Sequence, residues 1–210
     1  MKAWIWPSIT KVVDALNRHL RRISIWAVYL IGALPAPILL YMGATGGLGF
    51  EPIKELEQEL GLLALQFLIL GLAITPARRY LGLNLIRFRR SIGLLSFFYV
   101  VVHLLTWLML DIGDLGGIWA GIVKRPFITI GMLACVVMLP LALTSNNWSV
   151  RRLGPRWRSL HKAVYAIALL GGAHFILLAK GFQVEPLLYM ALICGLLALR
   201  LPKRRQLSST

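Results

Sequence analysis

The chain has 210 residues, of which 58% are hydrophobic, and its mean hydropathy is +0.74. This composition excludes an ordinary soluble domain, which would lack the polar surface to cover so large an apolar core. The net charge of +15 comes from 23 Lys and Arg against 8 Asp and Glu. These charges lie between long apolar runs, a placement that favours membrane topology over nucleic-acid binding.

The first 23 residues are predicted to form a cytoplasmic amphipathic segment. Within residues 4–20, apolar side chains such as Val12 and Leu16 recur at helical spacing, while Arg18 lies on another face. A basic amphipathic helix before a first membrane span is typical of a helix that rests on the bilayer surface. We interpret His19 as a residue of its polar face.

Six apolar segments follow, each long enough or nearly long enough to cross a bilayer as a helix. They occupy residues 24–42, 60–76, 91–111, 126–144, 161–180 and 186–201. The second and sixth are short and would depend on flanking residues or on local thinning of the bilayer. Residues 51–57 are predicted to form a separate short helix on the outer face, since Pro52 suits a first helical turn. The predicted fold is an all-α bundle of six transmembrane helices over residues 24–201, followed by a cytoplasmic tail, 202–210.

Basic and acidic residues alternate between successive loops. The bases cluster before the first span, between spans two and three, between spans four and five, and after the sixth. The remaining loops hold most of the acids: Glu51, Glu55, Glu57, Glu59, Asp111, Asp114 and Glu185. Because Lys and Arg stay on the cytoplasmic side, both termini are expected in the cytoplasm.

Two histidines lie at nearly equal depth on different predicted spans. The third span begins at Ser91, and His103 lies twelve residues further on, about 18 Å into the bilayer at 1.5 Å per residue. His174 lies thirteen residues beyond His161, about 20 Å deep from the same face. Two neutral imidazoles on separate helices at one level are what a bis-histidine haem b requires. The alternative is that both are buried polar residues bonded to neighbouring helices.

The surroundings of these histidines supply further candidates. Small residues directly before His174 would let a flat macrocycle approach the helix, and aromatic residues four positions either side of His103 would pack its edge. The candidate cofactor-binding residues are Gly171, Gly172, Tyr99 and Trp107. Each has an alternative role in ordinary helix packing.

His161 is expected to stand apart from this pair. It differs from His174 in depth and direction, so the two cannot ligate one haem together. At the cytoplasmic edge it is a candidate ligand of a second haem, although Arg90 stands where its counterpart on the third span would lie. The alternative is a half-solvated interfacial residue.

Short motifs are spread along the chain from about residue 20 to 200. They are Glu57 before Leu60-Gly61; Thr75-Pro76 with Arg78-Arg79; Arg89-Arg90 and Gly93 leading to Phe98-Tyr99 and His103; Arg125-Pro126 with Gly131; and Leu143-Thr144-Ser145, Arg152-Leu153-Gly154, Trp157, Leu160-His161, Tyr165 and His174. Together they resemble the ferric-reductase-like transmembrane family, in particular its haem-binding membrane subunits of periplasmic methionine sulfoxide reductase systems.

The resemblance implies a six-helix haem b protein of the bacterial inner membrane, with His103, His161 and His174 as its haem histidines. It implies electrons drawn from the quinone pool, directly or through FMN, and delivered to a periplasmic molybdopterin methionine sulfoxide reductase subunit, MsrP. Larger ferric reductases carry two histidine pairs on these helices, and this chain has Arg90 in place of the fourth histidine. It also shows no GxGxxG-type nucleotide fingerprint.

The sequence therefore predicts an electron-transfer subunit rather than a self-sufficient enzyme. The outer loops around residues 43–59 and 112–125 are the expected docking surface for its partner. Three alternatives stay open: a ferric or cupric reductase, a proton or ion transporter in which His103 and His174 line the path, and a membrane scaffold without a cofactor.

Overall fold

A computed structural model of the chain describes residues 6–112, 115–179 and 182–200. Within these ranges the regular secondary structure is helical. The helices are α1 (Trp6–Arg22), α2 (Ile25–Ala33), α3 (Pro35–Thr45), α4 (Pro52–Leu81), α5 (Arg89–Thr106), α6 (Leu115–Lys124), α7 (Pro126–Leu143), α8 (Asn147–Leu153), α9 (Pro155–Leu160), α10 (Val164–Leu178) and α11 (Val184–Ala198). The predicted tail, 202–210, and the predicted outer charge at Asp114 lie outside the described residues.

Five helical stretches are long and apolar enough to cross a membrane. They are Ile25–Thr45, Pro52–Leu81, Ile86–Ile112, Pro126–Leu143 and Pro155–Leu178. A sixth apolar helix, α11, has 15 residues, which at 1.5 Å per residue is about 22 Å and shorter than a typical hydrocarbon core. The protein is thus a multi-pass all-α membrane protein, as the sequence predicts, while the side of the membrane on which the termini lie stays a prediction.

The second span differs from its prediction. Helix α4 runs without interruption for 30 residues from Pro52 to Leu81, so the expected separate helix at residues 51–57 is the first part of a long span. Between Ile53 and Leu60 there is no proline or glycine, and the charged residues there interrupt the hydropathy without ending the helix. The second span is therefore not short.

The core forms where α4 packs against several other helices. Helix α4 packs most extensively against α5, and α7 packs most extensively against α10. One buried cluster includes Leu72 of α4, Ile167 of α10 and Ile193 of α11. Ser96 of α5 donates from its hydroxyl to the Ala64 carbonyl of α4 at 2.8 Å, so α5 is held to α4 by a hydrogen bond as well as by packing.

A proline inside α4 changes the hydrogen bonding of the helix. Pro76 has no N–H to donate to the carbonyl four residues earlier, which belongs to Leu72. Arg200, just beyond α11, donates to that carbonyl from Nη2 at 2.6 Å and from Nε at 3.1 Å. The arginine therefore supplies the donor that the proline removes and joins the end of α11 to α4.

Helix α1 is attached to the connection that follows α4. The Asn17 side chain donates to the Gly82 carbonyl at 3.0 Å and accepts from the Asn84 N–H at 2.9 Å. Gly82 ends α4 with a φ of 72°, a conformation that favours glycine. Val12 and Leu16 remain exposed, and the expected position of this helix on the bilayer surface stays a prediction.

Candidate functional site

The structure brings His103 of α5 and His174 of α10 together. Their ring centres are 6.3 Å apart and the ring planes cross at 80°. The two rings therefore lie close enough for both to bind one shared group.

Both imidazoles are oriented by backbone carbonyls. His103 Nδ1 lies 2.8 Å from the Glu57 carbonyl oxygen of α4, and His174 Nδ1 lies 2.6 Å from the Phe127 carbonyl oxygen of α7. A carbonyl oxygen only accepts, so each Nδ1 carries the hydrogen and donates it. In a neutral ring this leaves the Nε2 lone pair free to bind a metal.

The pair has too few protein ligands for an ordinary protein metal site. Across the described ranges, no group of three or more His, Cys, Asp and Glu residues could hold a metal ion. Two imidazoles alone suit a metal whose remaining positions are filled by a macrocycle, as in haem. The donor set therefore fits haem iron better than a free metal ion.

Two glycines that the sequence analysis leaves without a role lie beside these rings. A Cβ added at Gly61 would stand 3.3 Å from His103 Nδ1, and one added at Gly131 would stand 2.8 Å from His174 Nδ1. Both glycines belong to the short motifs that carry the family resemblance, and this is the signal that could have drawn attention to them. Their contact with the histidines depends on which helices meet, which the sequence does not show.

The predicted cofactor-packing residues make contacts with other helices. Tyr99 donates from its hydroxyl to the Gly32 carbonyl of α2 at 2.7 Å, and its ring stacks on Phe67 with centres 5.4 Å apart. The Trp107 ring is buried and lies against Gly121 of α6. These contacts support the helix-packing alternative, and a role beside a cofactor stays a prediction.

The two glycines before His174 also face helices. A Cβ at Gly171 would meet Leu65 of α4 at 3.4 Å, and one at Gly172 would meet Met190 of α11 at 2.9 Å. Both therefore permit close approach of neighbouring helices to α10. Their predicted contact with a flat cofactor stays a prediction.

His161 lies at the other end of α10, away from the histidine pair. It belongs to a 3₁₀ turn, His161–Ala163, and its Nε2 is 3.1 Å from the Thr144 hydroxyl. Its ring stacks on Trp157 with centres 3.9 Å apart, and the Trp157 indole N–H donates to the Thr144 carbonyl at 2.9 Å. The structure thus places His161 in a local cluster with Thr144 and Trp157.

Known proteins resemble this chain over most of its length. Residues 59–172 match the family described as ferric reductase like transmembrane component. The chain is 46% identical over 190 residues to the protein-methionine-sulfoxide reductase heme-binding subunit MsrQ of Agrobacterium fabrum, covering 90% of this chain and 88% of that protein. It is 50% identical over 180 residues to the MsrQ subunit of Brucella anthropi, covering 85% and 81%. No solved structure matches the chain.

Proposed function

This chain belongs to the ferric-reductase-like transmembrane family and, within it, to the MsrQ subunits, and we propose that it binds haem b and serves a periplasmic methionine sulfoxide reductase as its electron-transfer subunit. The proposed haem site rests on one observation. The ring centres of His103 and His174 are 6.3 Å apart, and each Nδ1 is hydrogen-bonded to a backbone carbonyl. The relatives are named as heme-binding subunits. Their name supports the choice of cofactor and of the system served.

The two histidines would hold the iron through Nε2. With both imidazoles bound to it, a haem would supply one-electron transfer and would offer its iron to no substrate. The Glu57 and Phe127 carbonyls keep both rings in the tautomer that ligation needs. The site is therefore suited to electron transfer, and the substrate chemistry would belong to another subunit.

The proposed route runs from the inner to the outer side of the membrane. The chain would accept electrons from the quinone pool, directly or through FMN, and would deliver them to MsrP in the periplasm of a bacterium. His103 and His174 lie in the outer part of their predicted spans, where delivery to a periplasmic partner is expected. The bacterial inner membrane is the localisation that this route requires.

A second haem at His161 is a separate part of the proposal. Ligation through Nε2 would require this atom to exchange the Thr144 hydroxyl for iron. Arg90 occupies the position where a counterpart histidine would lie on the neighbouring span. Haem quantitation in wild-type protein and in His161→Ala decides this stoichiometry directly.

The test is a haem spectrum of the purified chain and its variants. We expect a low-spin b-type spectrum in the wild type, and its loss in His103→Ala and in His174→Ala because each variant removes one axial ligand. His19→Ala is the matched control, since His19 is exposed on α1. Normal haem in either ligand variant would overturn the pairing, and a wild type without haem would overturn the proposed function.

A further inference from the structure

The carbonyls that hold His103 and His174 belong to helices in which they already have a partner. In an α-helix the carbonyl of residue i accepts from the N–H of residue i+4. The side chain of residue i+4 reaches back to that carbonyl, which is why serine and threonine can bond to it. For Glu57 and Phe127 the i+4 residues are Gly61 and Gly131. Neither carbonyl is covered by a side chain from that position.

The space above each glycine is filled by the imidazole. A Cβ at Gly131 would lie 2.8 Å from His174 Nδ1 and 2.9 Å from Cε1, distances that real Cβ atoms essentially never show. A Cβ at Gly61 would lie 3.3 Å from both corresponding atoms of His103. A methyl group would therefore force the ring away from the carbonyl at Gly131 and would crowd it at Gly61.

The same arrangement occurs twice in the chain. The carbonyl of Glu57 and the ring of His103 are 46 residues apart, and those of Phe127 and His174 are 47 residues apart. The helices concerned are α4 with α5 and α7 with α10, the two most extensively packed pairs. Each half of the site is thus built from one helix pair. One helix supplies a carbonyl and, four residues later, a glycine, and the other helix supplies the histidine.

We infer that Gly61 and Gly131 are positioning residues of the haem site, an inference that rests on the proposed function. Each opens a helix carbonyl to the histidine of the neighbouring helix and so fixes the ring with Nδ1 protonated and Nε2 free. A carbonyl acceptor at Nδ1 also raises the basicity of the ligand. A more basic ligand favours ferric iron, so these bonds would lower the reduction potential of a haem bound here.

If Gly61 and Gly131 served only helix packing, their substitution would have a different effect. Small residues let membrane helices pack closely whatever else they do, and loss of such packing would reduce the amount of folded protein. It would leave the electronic properties of any retained haem unchanged. Gly93 of α5 and Gly195 of α11 are matched controls, because a Cβ added at either meets nothing within 4 Å.

The experiment compares Gly61→Ala, Gly131→Ala, Gly93→Ala and Gly195→Ala with the wild type as purified full-length proteins. Haem per protein, the low-spin electron paramagnetic resonance signal and the midpoint potential are measured. We expect Gly131→Ala to retain haem about tenfold less well and its remaining haem to show a shifted signal and a raised potential. In Gly61→Ala the haem retention, the signal and the potential should change in the same directions but by smaller amounts. Gly93→Ala and Gly195→Ala should match the wild type in all three.

The inference is overturned if haem retained by Gly61→Ala and Gly131→Ala has the wild-type signal and potential, even where its amount falls. Should Gly131→Ala yield no haem protein, Gly61→Ala still decides the matter, since its contact is milder. Absence of haem from the wild type would overturn the proposed function and this inference with it. If the haem is lost in both histidine variants but is unchanged in both Gly61→Ala and Gly131→Ala, the inference is overturned and the proposed function stands.

Discussion

Arg200 and Leu72 are joined by two hydrogen bonds, from Nη2 and Nε of the arginine to the leucine carbonyl, at 2.6 and 3.1 Å. The carbonyl is open to them because Pro76 cannot donate to it. Arg200 also lies within 3.3 Å of the Tyr165 hydroxyl of α10. One side chain thus connects α4, α10 and the end of α11.

Replacing Arg200 should reveal how much the missing N–H of Pro76 destabilises the protein. Arg200→Met leaves the Leu72 carbonyl without a donor, and an unsatisfied buried acceptor costs about 1–3 kcal/mol. We expect a lower midpoint of thermal unfolding in detergent. Adding Pro76→Ala restores an N–H at position 76, so the double variant should recover part of that loss. Equal midpoints for Arg200→Met and the double variant would contradict this explanation.

Tyr99 offers a second test of stability. Its hydroxyl bonds to Gly32 of α2 while its ring packs on Phe67, so Tyr99→Phe removes the bond and keeps the ring. We expect stability to fall by about 1 kcal/mol, measured as a lower unfolding midpoint, with an unchanged haem spectrum. If the haem spectrum changes together with the unfolding midpoint, the Tyr99 hydroxyl acts on the cofactor and not only on helix packing.

Local patterns predict much of this architecture. Hydropathy marks the spans because a bilayer demands long apolar helices, and the constant rise of a helix sets His103 and His174 at matching depth. Helix α6 is not among the predicted elements, and the glycines at positions 116 and 117 near its start are more typical of a loop. The charges in the first turns of α4 suggest a boundary between two helices, although the backbone continues through them.

Relationships between distant helices cannot be predicted in this way. Pro76 indicates that the Leu72 carbonyl needs a donor, but nothing local points to Arg200, 128 residues later. Likewise, the spacing of Glu57 and Gly61 becomes meaningful only once α5 is known to lie beside α4. Depth alone identifies the ligand candidates, whereas the groups that orient them depend on which helices pack together.

The proposed docking surface can be tested by charge reversal at Glu55 and Glu59. Both side chains are exposed and lie four residues apart, about one helical turn. They flank Glu57, whose carbonyl accepts a hydrogen bond from His103. Glu57 itself is unsuitable, since its Oε1 is buried and its backbone belongs to the site. We expect Glu55→Lys and Glu59→Lys to slow reduction of the partner by about tenfold at low salt, with haem content unchanged.

The control for this prediction is Glu185→Lys, another exposed acid at the start of α11. It changes the net charge by the same amount at a different place. Rates are measured by stopped-flow oxidation of the reduced haem protein on mixing with the partner, at several salt concentrations. Equal slowing by all three variants would indicate a general charge effect and would remove α4 from the docking surface.

His161 provides the last prediction, because its cluster lies at the end of α10 opposite to His174. Its Nε2 contacts Thr144 and its ring stacks on Trp157. We expect His161→Ala to retain the low-spin haem of His103 and His174, since the substitution leaves both axial ligands and both carbonyls in place. Thr144→Val, which removes the hydroxyl and keeps the imidazole, should behave in the same way.

Haem per protein in these variants separates two roles for His161. A ratio equal to that of the wild type means that the residue binds no haem and that its cluster stabilises the turn before α10. A ratio that falls by half in His161→Ala, with the remaining haem still low-spin, identifies a second haem at this end. Complete loss of haem from a protein that remains folded would contradict the independence of the two ends, because the outer pair would then depend on a residue about 20 Å away along α10.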